Sequence, residues 1–163
     1  MTDAGSDTLR LARIDLDAVS LTAANAEIEH ERRVAIYDLI ETNRFAPAGA
    51  ERGPFGLTLS LQDNRLVFDI VQDGEAGGFS RTYALSLTPL KKVIKDYLMI
   101  CESYYEALRG SSPSQIEAVD MGRRGLHNEG AEHLTERLQG KVVVDHETAR
   151  RLFTLICALY RRG

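Results

Sequence analysis

Between Asp120 and His133 the chain reads Asp-Met-Gly-Arg-Arg-Gly-Leu-His-Asn-Glu-Gly-Ala-Glu-His, a run crowded with side chains able to bind anions or move protons. Arg123 and Arg124 suit an anionic or carbonyl-bearing small molecule, with Asn128 and His133 as further ligand-binding candidates. His127 and Glu129 are the catalytic candidates, because imidazole and carboxylate groups exchange protons near neutral pH. Three glycines, Gly122, Gly125 and Gly130, interrupt the run. Each costs about 1 kcal/mol relative to Ala inside a helix, so close approach of a neighbour or a ligand is expected. At about 100° per residue the glycines share one broad face with Val119 and Leu126, and Arg123 and His127 fall within that arc. Both side chains are therefore expected to be at least half buried. A buried guanidinium needs a partner, so Arg123 should meet a carboxylate from another element: Glu27, Glu31, Asp96 or Glu147. Such a network is either structural or a site. No spacing rule ties it to one reaction.

Other chemistries find less support. Glu27-Ile-Glu-His30 has the spacing of carboxylate-bridged di-metal bundles, but the second copy that such a site needs is missing. His133 follows Glu129 by one turn, without His-x-x-x-His or Cys-x-x-Cys. No metal and no cofactor are expected. The Gly-rich turns lack Gly-Lys-Ser or Gly-Lys-Thr and do not join a strand to a helix, so there is no phosphate loop. The pairs Arg150-Arg151 and Arg161-Arg162 could touch RNA, but no RNA-recognition motif accompanies them.

Composition narrows the classes. Lys plus Arg is 20 and Asp plus Glu is 24, a net charge of −4, with 44% apolar and 27% charged residues. That balance belongs to folded domains and excludes a disordered chain, a coiled-coil rod or a nucleic-acid coat. Net charge rises from −4 over residues 1–53 through −1 over 54–112 to +1 over 113–163. Cys101 and Cys157 sit at helical spacing among apolar residues and read as free, buried thiols. The acidic, polar N-terminus has the wrong character for a signal peptide, so none is expected, and the longest apolar run, Leu152 to Tyr160, is nine residues, too short for a bilayer. A cytoplasmic protein without membrane contact is expected.

The elements that must position these residues follow from periodicity. Residues 1–8 are expected to be a mobile tail, and 9–163 a single domain. Leu9 to Leu16 reads as a strand with Ala12, Ile14 and Leu16 on one side. A helix spans Asn25 to Asn43, with Ile28, Ala35, Ile36, Leu39 and Ile40 as its stripe. Arg44 to Pro54 reads as a loop. Strict alternation from Phe55 to Leu87, with a tight turn at Asp63-Asn64, predicts an antiparallel meander with one covered face. Thr88-Pro89 opens a helix to Leu108 whose stripe includes Ile94, Leu98, Cys101, Tyr104, Tyr105 and Leu108, and which should cover the meander. Ser112-Pro113 opens the glycine-bearing helix, Gly140 stops it, Lys141 to Val144 is extended, and Asp145 caps the last helix. The order β-α-β-β-β-α-α-α is an α+β fold.

Four runs together carry a resemblance: Glu29 to Ile40, Asn64 to Ile70, Met121 to Gly130 and Thr148 to Cys157. They resemble an alphaproteobacterial family of uncharacterised proteins, UPF 0262, over nearly the whole chain after the tail. The resemblance implies a bacterial cytoplasmic protein and carries over no catalytic residue. A non-enzymatic interaction or regulatory protein, with a protein partner or as a homo-oligomer, therefore ranks first. An anionic-ligand or enzymatic site around Arg123–His133 ranks second, and weak RNA or ribosome association third.

Overall fold

Alternating apolar and polar residues build three antiparallel strands: β3 (Phe55–Gln62), β4 (Arg65–Gln72) and β5 (Ser80–Ser86). Asp63 and Asn64 turn the chain with both φ angles positive, as a two-residue hairpin requires. The computed structural model describes residues 8–17, 25–74 and 78–161. Among these, β1 (Leu11–Leu16) joins the meander on its β3 side, and in parallel, so the four-stranded sheet β1-β3-β4-β5 is mixed rather than wholly antiparallel. A register shift between Leu11 and Arg13 moves the buried positions of β1 to Leu11 and Ile14. Ala12, expected beside Ile14, is displaced by this irregularity, while Leu16 keeps the side of Ile14 and packs, partly covered, against the core. The expected tail lies outside the described residues except for Thr8, whose hydroxyl accepts a 2.9 Å bond from the Gly53 N–H.

Helix α1 (Ala26–Glu41) starts where the Asn25 side chain accepts the Ile28 N–H at 2.9 Å. The segment read as a loop holds a short strand, β2 (Phe45–Pro47), which pairs antiparallel with β6 (Val142–Val144). Helix α2 (Thr88–Gly110) begins one residue before Pro89, and the Thr88 hydroxyl accepts from Asn64 instead of capping its own helix. Helix α3 (Pro113–Leu138) opens on a reciprocal capping box between Ser112 and Gln115. It continues unbroken through its three glycines.

The central helix is the last one, α4 (His146–Tyr160). It is apolar on nearly every side, and Leu152, Phe153, Leu155, Ile156, Cys157, Ala158 and Leu159 are all buried. A helix with that pattern must be surrounded. It packs on α1 and α3 and approaches β3. Helix α2 packs along α3 and reaches the same core through Leu90, Val93, Ile94 and Tyr97. The meander is thus covered on one face by helices: α4 approaches β3, and the apolar stripe of α2 joins the same core as Leu59, Phe68 and Leu85. Leu59, Phe68, Leu85 and Ile94 are buried as expected, while Leu98 and Cys101 are half-buried. Both line an open groove.

Candidate functional site

Glycines set the spacing of α3 against its neighbours. A Cβ on Gly122 would stand 2.7 Å from Ile100 Cδ1 of α2, and one on Gly130 would stand 2.3 Å from the Phe153 ring of α4. These two glycines allow close helix packing. A Cβ on Gly125 would meet nothing within 4 Å, so that glycine has no packing reason.

The seam so formed half-buries Arg123 and His127, as the helical wheel requires. Arg123 does not reach a carboxylate on another element. Its Nε donates to Asp120 Oδ1 at 3.1 Å, one turn back on α3, and Nη2 donates to the same oxygen. The guanidinium lies over the Tyr104 ring, 4.9 Å from its centre. None of the four expected partners is used, because the Asp120 carboxylate lies one turn back on the same helix and the Tyr104 ring of α2 covers the guanidinium from across the seam. Arg124 shares Asp120 at 3.0 Å and is largely exposed. The hydrogen bond from Arg123 holds the Asp120 carboxyl below the usual carboxylate range.

His127 is locked by contacts. Its ring stacks on Tyr97 at 5.2 Å and packs beside Phe153. Arg150 Nε donates to Nδ1 at 3.3 Å, so the ring proton belongs on Nε2, which donates to Thr154 Oγ1 at 2.7 Å. Thr154 in turn donates to the Arg150 carbonyl at 3.2 Å. Burial, aided by the Arg150 charge, lowers the His127 pKa to about 4. The ring is therefore neutral at pH 7. Glu129 and His133 face each other at 3.6 Å farther along α3, both substantially exposed, and Asn128 is exposed as well. The structure thus brings Arg123, Arg124 and Asp120 together and ties His127 to α4. It does not gather the six candidates around one cavity.

A concave surface exists elsewhere. Helices α1 and α2 both flank α4 without packing on each other along their length, leaving a groove of about 1010 Å³. Its floor is Ala35, Leu98, Cys101, Cys157 and Ala158. Val34, Met99, Tyr105 and Leu108 line it while 45%, 66%, 59% and 52% exposed. Those four are half of the large apolar residues exposed among the described ones, so exposed apolar surface concentrates here. Tyr105 and Leu108 belong to the stripe that sequence assigned to the core. That stripe is wider than α3 and the sheet can cover, which is the signal that went unread.

One end of the groove is anchored by a residue that sequence reasoning missed. Arg32 is 3% exposed, and its Nε and Nη2 donate to the Ala158 and Leu159 carbonyls at 3.0 and 3.1 Å. It thereby satisfies carbonyls at the C-terminus of α4, where a cation also suits the helix dipole. The signal was its place in the buried series Ile28, Arg32, Ala35, Leu39. Arg161 then pairs with Glu31 on α1.

The model of the Uncharacterised protein family UPF0262 matches residues 8–162. The chain belongs to that family. UPF0262 relatives are similar along almost their whole length. One of Caulobacter vibrioides is 59% identical over 154 residues, covering 94% of each chain. One of Rhizobium johnstonii is 57% identical over 154 residues, 94% of this chain and 96% of its own. One of Phenylobacterium zucineum is 54% identical over 163 residues, the whole of both chains. No solved structure matches the chain. The UPF0262 description assigns no activity, so function has to be argued from the geometry. Among the described residues no helix is long and apolar enough to cross a membrane, and no cluster of metal-ligating side chains is found.

Proposed function

We propose that this protein is a non-enzymatic, cytoplasmic interaction protein, acting as one domain over residues 9–163, whose docking surface is the groove between α1 and α2. The observation that carries the reading is the coincidence of concavity, an apolar floor and exposed apolar walls in one place. Contiguous exposed apolar surface of this kind marks recognition sites. A groove flanked by two helices fits a third helix, laid in with its apolar face down. Two free thiols, one buried and one half-buried, suit a reducing compartment.

The candidate residues on α3 lend themselves to structural roles in this reading. His127 is neutral and held on both nitrogens, and Asp120 occupies Arg123. Three of the four C-terminal arginines are engaged as well, Arg150 with Glu147, Arg151 with the Thr42 carbonyl and Arg161 with Glu31, and Arg162 lies outside the described residues. That use argues against an RNA surface.

Photo-crosslinking tests the reading. A benzophenone amino acid replaces Tyr105 in the groove or Arg81 on the sheet, the protein is expressed at native level, and the crosslinked partner is identified and purified. The reading expects crosslinking from position 105 and a one-to-one complex with wild type that Met99→Asp weakens at least about tenfold, equivalent to about 1.4 kcal/mol. A partner captured from position 81 whose binding ignores Met99→Asp would overturn it.

A further inference from the structure

We infer that the occupant of the groove is a cationic amphipathic helix of another protein, with its apolar face on the floor and its Lys or Arg side chains against an acidic rim. This rests on the groove being the docking surface. The rim carries Glu27, Glu31 and Asp38 on α1 and Glu102 and Glu106 on α2. Against these five carboxylates stand Arg109, Arg161 and the imidazole of His30, and Arg161 already pairs with Glu31 and lies 3.9 Å from Glu27. The two walls are therefore both acidic over an apolar floor. Charge of one sign beside apolar surface selects a partner of the other sign and rejects like-charged ones.

That selection removes the other occupants. A second copy docked groove to groove would bring the same carboxylates to the rim. The first seven residues of the chain hold Asp3 and Asp7 and no Lys or Arg, the wrong sign for a self-docked segment. Nucleic acid and anionic lipid carry the rim's own sign. Length is set by α2, whose lining residues run from Tyr97 to Arg109. At 1.5 Å per residue that stretch is about 18 Å, or about three turns. The fitting helix has apolar residues at i, i+3 or i+4 and i+7, with basic residues on both flanks.

The test uses two synthetic amphipathic peptides of about 14 residues with identical Leu spacing, one with Lys and one with Glu on the polar face. Fluorescence anisotropy measures their binding to the full-length protein at about physiological ionic strength. The expected result is binding of the Lys peptide at least about tenfold tighter than the Glu peptide. Glu102→Lys with Glu106→Lys should abolish that preference, and Met99→Ser with Tyr105→Ser should weaken the Lys peptide. Asp15→Lys with Asp69→Lys, an equal charge change on the sheet, should leave it bound. Thermal melts confirm that each variant is folded. Equal binding of both peptides, lost in Met99→Ser with Tyr105→Ser, overturns the charge inference and spares the groove. Binding that ignores both groove variants, or no binding by either peptide, overturns the docking reading itself. A dimer of the wild type that Tyr105→Ser dissociates overturns the inference in favour of a second copy.

Discussion

Replacing the three glycines of α3 one at a time by alanine should give three different outcomes: a gain, a loss and almost no change. Gly125 sits mid-helix with open space where its Cβ would go. Alanine there gains about 1 kcal/mol of helix propensity and meets no neighbour. For a domain of this size that raises Tm by about 2–4 °C. Gly130 is the opposite case. Its Cβ would lie 2.3–2.5 Å from three atoms of the Phe153 ring. That ring is fully buried and wedged against Tyr97 and His127, so it cannot swing aside. Overpacking of this kind costs about 1–3 kcal/mol. Three ring atoms at 2.3–2.5 Å put the cost at the upper end of that range, so after the propensity gain is subtracted Gly130→Ala should still lose about 2 kcal/mol. Gly122 lies between. Its Cβ would press only on Ile100 Cδ1, the far end of a half-buried flexible side chain. Rotation of Ile100 relieves the clash, and the net change should stay within about 0.5 kcal/mol. Urea and thermal unfolding of the three variants measure the series. A destabilising Gly125→Ala would show that something covers that face of α3, reopening the Arg124 and Asn128 surface as a contact site. A harmless Gly130→Ala would show that α3 and α4 do not pack as described, and the account of His127 would go with it.

Further outcomes follow from the same contacts. His127 has a folded pKa of about 4 against 6.5 unfolded, so its neutral form favours the folded state. Its contribution is complete above about pH 6.5 and is lost as pH falls to about 4; solvent screening of a half-buried group leaves about 1–2 kcal/mol. Unfolding free energy measured against pH should show that slope, and His127→Gln should flatten it. Arg32→Met leaves two α4 carbonyls without their guanidinium and should cost about 2–4 kcal/mol in chemical denaturation; an unchanged midpoint would refute the burial of Arg32. Burial raises both thiol pKa values, but Cys101 opens on the groove and Cys157 is 2% exposed. Labelling with a thiol reagent should therefore modify Cys101 first and Cys157 only on unfolding, where the sequence predicts two buried thiols alike.

Local geometry made much of this legible in the sequence. Alternation from Phe55 to Ser86 and the Asp63-Asn64 turn are properties of neighbouring residues, and they produced the meander and its core face. Ser112, Asn25 and Asp145 capped their helices because a side-chain oxygen needs only its own next turn. The wheel placed Gly122, Gly130, Arg123 and His127 on the packed arc, since helical phase is local too. Partners are another matter. Whether Arg123 turns to Asp120 or crosses to another helix depends on distances that periodicity does not contain. The parallel docking of β1, the pairing of Phe45–Pro47 with Val142–Val144, and the Arg32 bonds to a helix end more than a hundred residues away are likewise long-range choices. The groove is the extreme case. It exists because α4 is apolar enough to be buried on nearly all sides, holding α1 and α2 apart across its own width. The residues of α1 and α2 were readable one stripe at a time, but the space left between them was decided only when three distant segments packed together.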